Sequence, residues 1–238
     1  MPEERPIETF LGHHDERRAS MPVAVYFDLD GTLLTYAHPF EELFARTVPD
    51  GTAAMQTAFS NRLLTALEDL ESDPYEAAFQ FVCDTYDVEG TPTELAAAYV
   101  RRELAATRVS AQATRLVAAV TARHPTGILT NGDGPMQRAK LDRHGLDELV
   151  DAIIVSNELG VRKPDPAIFA AAKRRLPADT YVYVGDTVDE DVRPAAEQGF
   201  ATVHIGTGEA TADVTAGSIE DLAAVLTPLL AACERGSN

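Results

Sequence analysis

Short runs of apolar residues recur along most of this chain, and each is followed by a segment with the pattern of a helix. The runs are nearly continuous and rich in β-branched and aromatic residues, which is typical of strands buried on both faces of a parallel sheet. They cover residues 23–27, 126–129, 152–155, 181–184 and 201–205. Strands and helices in regular succession predict right-handed crossovers, and therefore an α/β fold with a doubly wound parallel sheet.

Capping residues predict where the helices of this series begin and end. Ser, Asp and Pro stand at the predicted starts, and Gly follows several of the predicted ends. The predicted helices cover residues 110 to about 123, 133–145, 165 to about 175, 189–198, and a last helix that begins at Ser218.

One connection in this series is far longer than a crossover requires. About 75 residues separate the first strand from the helix at Ser110, and apolar side chains recur in them at helical spacing over 59–70, 75–86 and 95–99. We therefore predict an α/β core from residues 21–35 and 107–238, with a helical domain inserted at 36–106. Residues 1–20 are predicted to be a loosely attached arm, and translation could start at Met1 or at Met21.

Polar residues follow the predicted strands at the points where the strands end. Asp28 and Asp30 follow the first strand, Thr130 and Asn131 the second, and Asp186 the fourth. Because the carboxyl ends of the strands in an open α/β sheet form its ligand-binding edge, we expect these side chains to converge.

The chemistry of this group points to a metal and a phosphoryl group. Lys163 and Asp191 belong to the same set of polar residues near the strand ends. Gathered carboxylates repel one another unless a cation is bound, and oxygen ligands suit Mg²⁺. A site with Mg²⁺, a lysine and a hydroxyl suits a phosphoryl group. Asp28 is then placed to attack phosphorus, and Asp30 to act as general acid and base.

These residues resemble the motifs of the haloacid dehalogenase superfamily. The family's first motif, DxDGT after an apolar strand, stands here at residues 28–32, and Thr130 resembles the Thr or Ser of motif two. Lys163 in the sequence RKPDP resembles the lysine of motif three, and Asp186 with Asp191 five residues later resembles motif four. Order and spacing agree from residue 22 to about 206. The resemblance implies a Rossmann-like core whose inserted helices form a mobile cap.

The resemblance also implies a role for each residue that handles the phosphoryl group. Asp28 would be the nucleophile and Asp30 the acid and base. Lys163 would be a third catalytic residue. Phosphate contacts would come from Thr130, Asn131 and Lys163.

The implied metal site draws on the same strand ends. Mg²⁺ would be held by Asp28, by the backbone carbonyl of Asp30 and by Asp186. Asp191 is similar to the last acid of the family, which is a direct ligand in some members and an indirect one in others.

The reaction expected from these residues is Mg²⁺-dependent hydrolysis of a small-molecule phosphate ester through an aspartyl phosphate. Phosphoglycolate, a sugar phosphate and a nucleoside monophosphate are all plausible substrates. Asp30 disfavours dehalogenation, which needs no general acid there, and the absence of lysine before Lys140 excludes the family's phosphonate cleavage by a Schiff base. A sugar-phosphate mutase, a receiver-like phospho-acceptor module and an inactive binding protein are the alternatives.

The charge of the chain bears on its environment and on its partners. The formal net charge is −18, and Lys140, Lys163 and Lys173 are the only lysines. Such an acidic surface is typical of adaptation to high salt, where screening removes self-repulsion. It also argues against nucleic acid or a membrane as partner, since no basic patch is present. We expect a halophilic cytoplasmic protein, and the sequence does not predict its oligomeric state.

Overall fold

The computed structural model describes residues 23–207 and 211–236, so the predicted arm at 1–20 and the start at Met21 lie outside the described residues. Its main sheet has six parallel strands in the order β5-β4-β1-β6-β7-β8. The strands are β1 Val23–Phe27, β2 Leu34–Tyr36, β3 Thr107–Val109, β4 Thr126–Thr130, β5 Ala152–Val155, β6 Thr180–Gly185, β7 Ala201–Ile205 and β8 Val214–Ala216.

Helices connect these strands in the alternation that the sequence predicts. They are α1 Phe40–Thr47, α2 Ala53–Glu68, α3 Pro74–Thr85, α4 Pro92–Ala106, α5 Ala111–Thr121, α6 Gly134–His144, α7 Ser156–Leu159, α8 Pro166–Arg175, α9 Arg193–Glu197 and α10 Ile219–Gly236. The α/β prediction with a doubly wound, Rossmann-like core is confirmed. No helix within the described residues is long and apolar enough to cross a membrane.

Strand β1 lies in the middle of the sheet and is buried on both faces. Val23, Val25 and Phe27 pack with residues of α5 and α10 on one face, while Ala24 and Tyr26 pack with residues of α8 on the other. Alternate side chains of a strand point to opposite faces, so an entirely apolar strand suits this central position. Its neighbours β4 and β6 run parallel to it, and their carboxyl ends therefore lie beside its own.

Helices α1 to α4, which we call the insert, lie between β2 and β3. These two strands pair antiparallel with each other, with Leu34 opposite Val109 and Tyr36 opposite Thr107. The insert has its own apolar cluster, in which Phe44, Phe59 and Phe79 contact one another. The ribbon of β2 and β3 thus joins the α/β core to the helical insert.

The structure departs from the predicted elements in several places. Leu70 falls outside α2, which ends at Glu68, and its backbone has a positive φ of 57°. The helix predicted over 189–198 begins instead as a π-helical turn, Val188–Val192, which continues into α9. Three short strands, β2, β3 and β8, were not predicted, because three residues carry too little periodic pattern to indicate a strand.

Candidate active site

The predicted site residues lie at adjacent strand ends, because β1 is flanked by β4 and β6. Asp28 follows β1, Thr130 ends β4, and Asp186 follows β6. The backbone N–H of Asp28 donates to the carbonyl of Val184 at 2.9 Å, which ties the first strand end to its neighbour. The parallel pairing therefore brings together residues that are far apart in the sequence.

Lys163 is the centre of a buried network at this edge. Its Nζ lies 2.7 Å from Oδ1 of Asp28, 2.5 Å from Oδ1 of Asp191 and 3.0 Å from the hydroxyl of Tyr183. The Tyr183 hydroxyl lies 2.9 Å from the same Asp191 oxygen. The backbone N–H of Thr187 donates to the other oxygen of Asp191 at 3.1 Å. Both oxygens of Asp191 are therefore engaged, and one of them holds the lysine against Asp28.

Three carboxylates of this edge could hold a metal ion together. Asp28, Asp186 and Asp191 each offer an oxygen, and these atoms all lie within 4.8 Å of one another. Gly31, with a φ of 85°, leaves the space that Asp186 occupies, because a Cβ at Gly31 would collide with the Asp186 carboxylate. A compact set of carboxylate oxygens fits Mg²⁺, which prefers hard oxygen ligands.

Burial and mutual repulsion shift the pKa values of the groups in this cluster. Burial raises the pKa of Asp28 to about 8; Lys163 opposes this rise and Asp191 adds to it. Burial, followed by the charge of Asp191, also raises the pKa of Asp186. Burial disfavours the charge of Lys163, but Asp191 and Asp28 outweigh it and hold the Lys163 pKa well above its usual value. A divalent cation would relieve the repulsion and favour the ionised carboxylates.

Thr130 and Asn131 lie beside this cluster in different roles. The Thr130 hydroxyl is buried, and the Nε2 of Gln137 lies 2.7 Å from it. The Asn131 side chain accepts the backbone N–H of Lys163 at 2.9 Å and donates to the Lys163 carbonyl at 3.1 Å and to Glu190 at 3.0 Å. The Asn131 side chain thus holds the Lys163 loop in place. That it contacts phosphate stays a prediction.

Another network, which the sequence did not predict, surrounds Asp30. Lys140 on α6 lies 2.9 Å from one oxygen of Asp30, Gln137 lies 2.7 Å from the other, and the Tyr36 hydroxyl donates to Asp30 at 2.6 Å. Lys140 also lies 3.5 Å from Glu103 on α4. Burial opposes the charge of Asp30, but Lys140, Tyr36 and Gln137 together lower its pKa.

Signals for this Asp30 network existed in the sequence only in part. Gln137 and Lys140 are three residues apart on the helix that follows the Thr130 strand end, and this spacing places them on one face. No sequence pattern, however, marks Glu103 or Tyr36 as a polar partner, although Tyr36 lies only six residues from Asp30. Glu103 contacts Lys140 only through the tertiary fold.

A cavity of 650 Å³ lies between the insert and the strand ends. Asp30, Gly31 and Asn131 line it together with residues of α6 and of the turn before α6, and the insert lines the rest, mainly with apolar and aromatic side chains. Tyr75, for which no role was predicted, lines it too and donates to Glu103 at 3.0 Å. Asp28 and Asp186 are not among the lining residues, although both lie at the same sheet edge.

Comparison with known proteins places this arrangement in a family. The model of the haloacid dehalogenase-like hydrolases matches residues 23–199, and the chain belongs to that family. The chain is 41% identical over 85 residues to a glyceraldehyde 3-phosphate phosphatase of Methanopyrus kandleri; the match covers 35% of this chain and 36% of that protein. The chain thus spans little more than a third of the length of this relative.

Two further similarities extend over most of the chain. A phosphoglycolate phosphatase of Cereibacter sphaeroides is 30% identical over 191 residues, which is 74% of this chain and 83% of that protein. A HAD-hydrolase of Bacillus subtilis, solved bound to magnesium, aligns with a TM-score of 0.68 over 87% of this chain and all of that one. Its identity of 20% shows the common fold alone.

Proposed function

We propose that this protein hydrolyses a small phosphate monoester by transferring the phosphoryl group first to Asp28 and then to water. The observation that carries this proposal is the Lys163 network, in which one lysine holds Asp28 at 2.7 Å and Asp191 at 2.5 Å beside a third carboxylate, Asp186. Relatives named as phosphatases support the same reaction class.

In the first step, a carboxylate oxygen of Asp28 attacks phosphorus while the bond from phosphorus to the ester oxygen breaks. Asp30 donates a proton to the leaving oxygen, so the alcohol departs uncharged. Lys163 offsets negative charge on the phosphoryl oxygens and keeps Asp28 oriented. Because Lys140 lowers the pKa of Asp30, the proton for this step becomes available as the pH falls.

In the second step, Asp30 takes a proton from water, whose oxygen attacks phosphorus and releases inorganic phosphate and the Asp28 carboxylate. The ion pair with Lys140 favours the ionised form of Asp30 that this step requires. Asp28, the backbone carbonyl of Asp30 and Asp186 would hold Mg²⁺, which supplies positive charge opposite the phosphoryl oxygens. Asp191 would act mainly through Lys163, since both of its oxygens already accept hydrogen bonds.

We further infer that residues 36–106 form a cap domain that closes over the site, since the cavity lies between the insert and the strand ends. Closure would exclude water and favour small substrates over proteins. The acidic composition supports a halophilic, cytoplasmic setting, with neither nucleic acid nor membrane as partner.

Release of phosphate from p-nitrophenyl phosphate in Mg²⁺, at low and at molar KCl, tests the proposal. We expect sustained turnover that Asp28→Asn abolishes. A single burst with a stable aspartyl phosphate would instead indicate a receiver-like module, and a sugar phosphate isomerised without phosphate release would indicate a mutase. Binding of a phosphate ester with no turnover would indicate an inactive relative, and chloride release from 2-chloropropionate would indicate a dehalogenase.

A further inference from the structure

The part of the cavity wall that the insert provides is mainly apolar. Phe59, Leu63 and Leu67 on α2 line it together with Tyr99 on α4. The cavity volume, 650 Å³, lies within the range of about 300–1,000 Å³ usual for sites that enclose an organic ligand. A two-carbon acid would leave most of this space unfilled, so the cavity suits a larger leaving group.

Two exposed apolar side chains lie at the same cavity. Phe40 is 45% exposed and Leu64 is 55% exposed, and both line it. Within the described part of the chain, Phe81 and Leu159 are the other large apolar side chains with comparable exposure, and neither lines the cavity. Single exposed apolar residues are ordinary, but two at one concave site favour contact with a ligand.

The charges around the cavity disfavour a further anion on the substrate. Among the described residues that line it, Lys140 is the only lysine or arginine, and its Nζ already lies 2.9 Å from Asp30 and 3.5 Å from Glu103. Glu41 and Asp133 add two more acidic side chains to the lining. A carboxylate on the leaving group would therefore meet negative charge with no unpaired cation to bind it.

We propose that the substrate is a phosphate monoester whose leaving group is uncharged and carries an aromatic ring, as in benzyl phosphate or a nucleoside monophosphate. This inference rests on the proposed phosphatase activity and narrows its substrate. The ring packs against Phe40 and Leu64 while the phosphoryl group reaches the strand ends. Esters with a carboxylate in the leaving group, such as phosphoglycolate, are selected against.

A substrate panel separates ring contact from charge. We expect kcat/KM for benzyl phosphate and for thymidine 5′-monophosphate to exceed that for phosphoglycolate at least tenfold. The methyl ester of phosphoglycolate, which lacks the carboxylate charge, should fall between them. A higher value for the nucleotide than for benzyl phosphate identifies a nucleoside as the leaving group, and the reverse order identifies a simple aromatic alcohol. Phosphoglycolate hydrolysed as well as the ring esters would overturn the inference.

Variants at Phe40 and Leu64 test whether these side chains contact the leaving group. Phe40→Ala should lower kcat/KM for benzyl phosphate about tenfold, the low end of the effect of one lost apolar contact. Leu64→Lys should raise the ratio of phosphoglycolate to benzyl phosphate hydrolysis about tenfold by supplying the missing cation. Phe81→Ala and Leu159→Lys are the matched controls, since they change side chains of similar type that lie outside the cavity.

The outcomes distinguish this inference from the proposed function. If Phe40→Ala and Leu64→Lys behave like their controls while p-nitrophenyl phosphate is turned over, the leaving-group inference is wrong and the phosphatase proposal stands. If no ester, including p-nitrophenyl phosphate, releases phosphate in Mg²⁺, both are wrong.

Discussion

Two buried lysines organise the site, and they differ in what they join. Lys163 bridges Asp28 and Asp191 within the α/β core, whereas Lys140 bridges Asp30 in the core and Glu103 in the insert. Each also lies near a tyrosine ring, Tyr183 at 5.6 Å from the centroid and Tyr36 at 5.4 Å. The same arrangement of one lysine between two carboxylates therefore occurs once inside the core and once across its contact with the insert.

The difference indicates a division of work. In the proposed mechanism the Lys163 network orients Asp28 as the nucleophile at the sheet edge, where loss of the cation leaves two buried carboxylates facing each other. The Lys140 network holds Asp30, the proposed acid and base, and ties it to a helix of the insert. We therefore expect substitutions in the Lys163 network to affect the chemical step itself, and substitutions in the Lys140 network to affect its pH dependence.

The largest effect in this comparison is expected for Asp30, the residue that Lys140 holds. Asp30→Asn should lower kcat for an alkyl phosphate about 10²–10⁴-fold, since it removes the proposed general acid and base. The loss should be smaller for p-nitrophenyl phosphate, whose leaving group departs without a proton. Steady-state kinetics on both esters check this, and a loss below tenfold on the alkyl phosphate would contradict the assigned role.

Replacing Lys163, the lysine of the core network, should have the next largest effect. Lys163→Met should lower kcat about 10²–10³-fold, the usual cost of removing one electrostatic contact to a reacting group. Because the variant leaves Asp28 and Asp191 without their cation, its melting temperature is measured in parallel. Lys163→Arg keeps the charge and serves as the comparison if the methionine variant unfolds. Activity of folded Lys163→Met within threefold of the parent would contradict the proposal.

Removing Lys140 together with its partner in the insert should change the pH profile more than the rate. In the double variant Lys140→Met with Glu103→Gln, we expect less than a tenfold change in kcat at its optimum pH. Lys140 lowers the pKa of Asp30, so its loss should raise that pKa. Asp30 then keeps its proton to higher pH, so the fall of kcat/KM on the alkaline side of the profile should occur at a higher pH. A fall that stays in place or moves to lower pH would argue against Asp30 as the acid.

Salt concentration should change the difference in stability between the parent and the Lys140 variant least of all. Screening of the net charge of −18 should raise the melting temperature between low and molar KCl, at about 2–4 °C for each kcal/mol gained in a chain of this size. Buried ion pairs are screened little, so the parent and the Lys140→Met, Glu103→Gln variant should show the same increase. Thermal melts check both statements, and stability indifferent to salt would refute the halophilic interpretation.

Local patterns in the sequence determined most of the α/β core. Continuous apolar runs placed β1, β5 and β7 at their observed bounds, since a strand buried on both faces requires apolar residues throughout. Ser110 and Asp133, which mark two of the predicted helix starts, each accept a backbone N–H of the first turn. The positions of Asp28, Thr130 and Asp186 at neighbouring strand ends follow from the same patterns and from the parallel order of the sheet.

Only the tertiary structure decided what surrounds Asp30 and which side chains line the cavity. The partners of Asp30 on α6 are more than 100 residues away in the sequence, and Glu103 reaches Lys140 from another helix, so no local period records these contacts. The engagement of Asn131 with the Lys163 loop likewise depends on a contact 32 residues away. Apolar spacing identifies a helix and its buried face, but which exposed side chains meet at one cavity depends on how the helices pack.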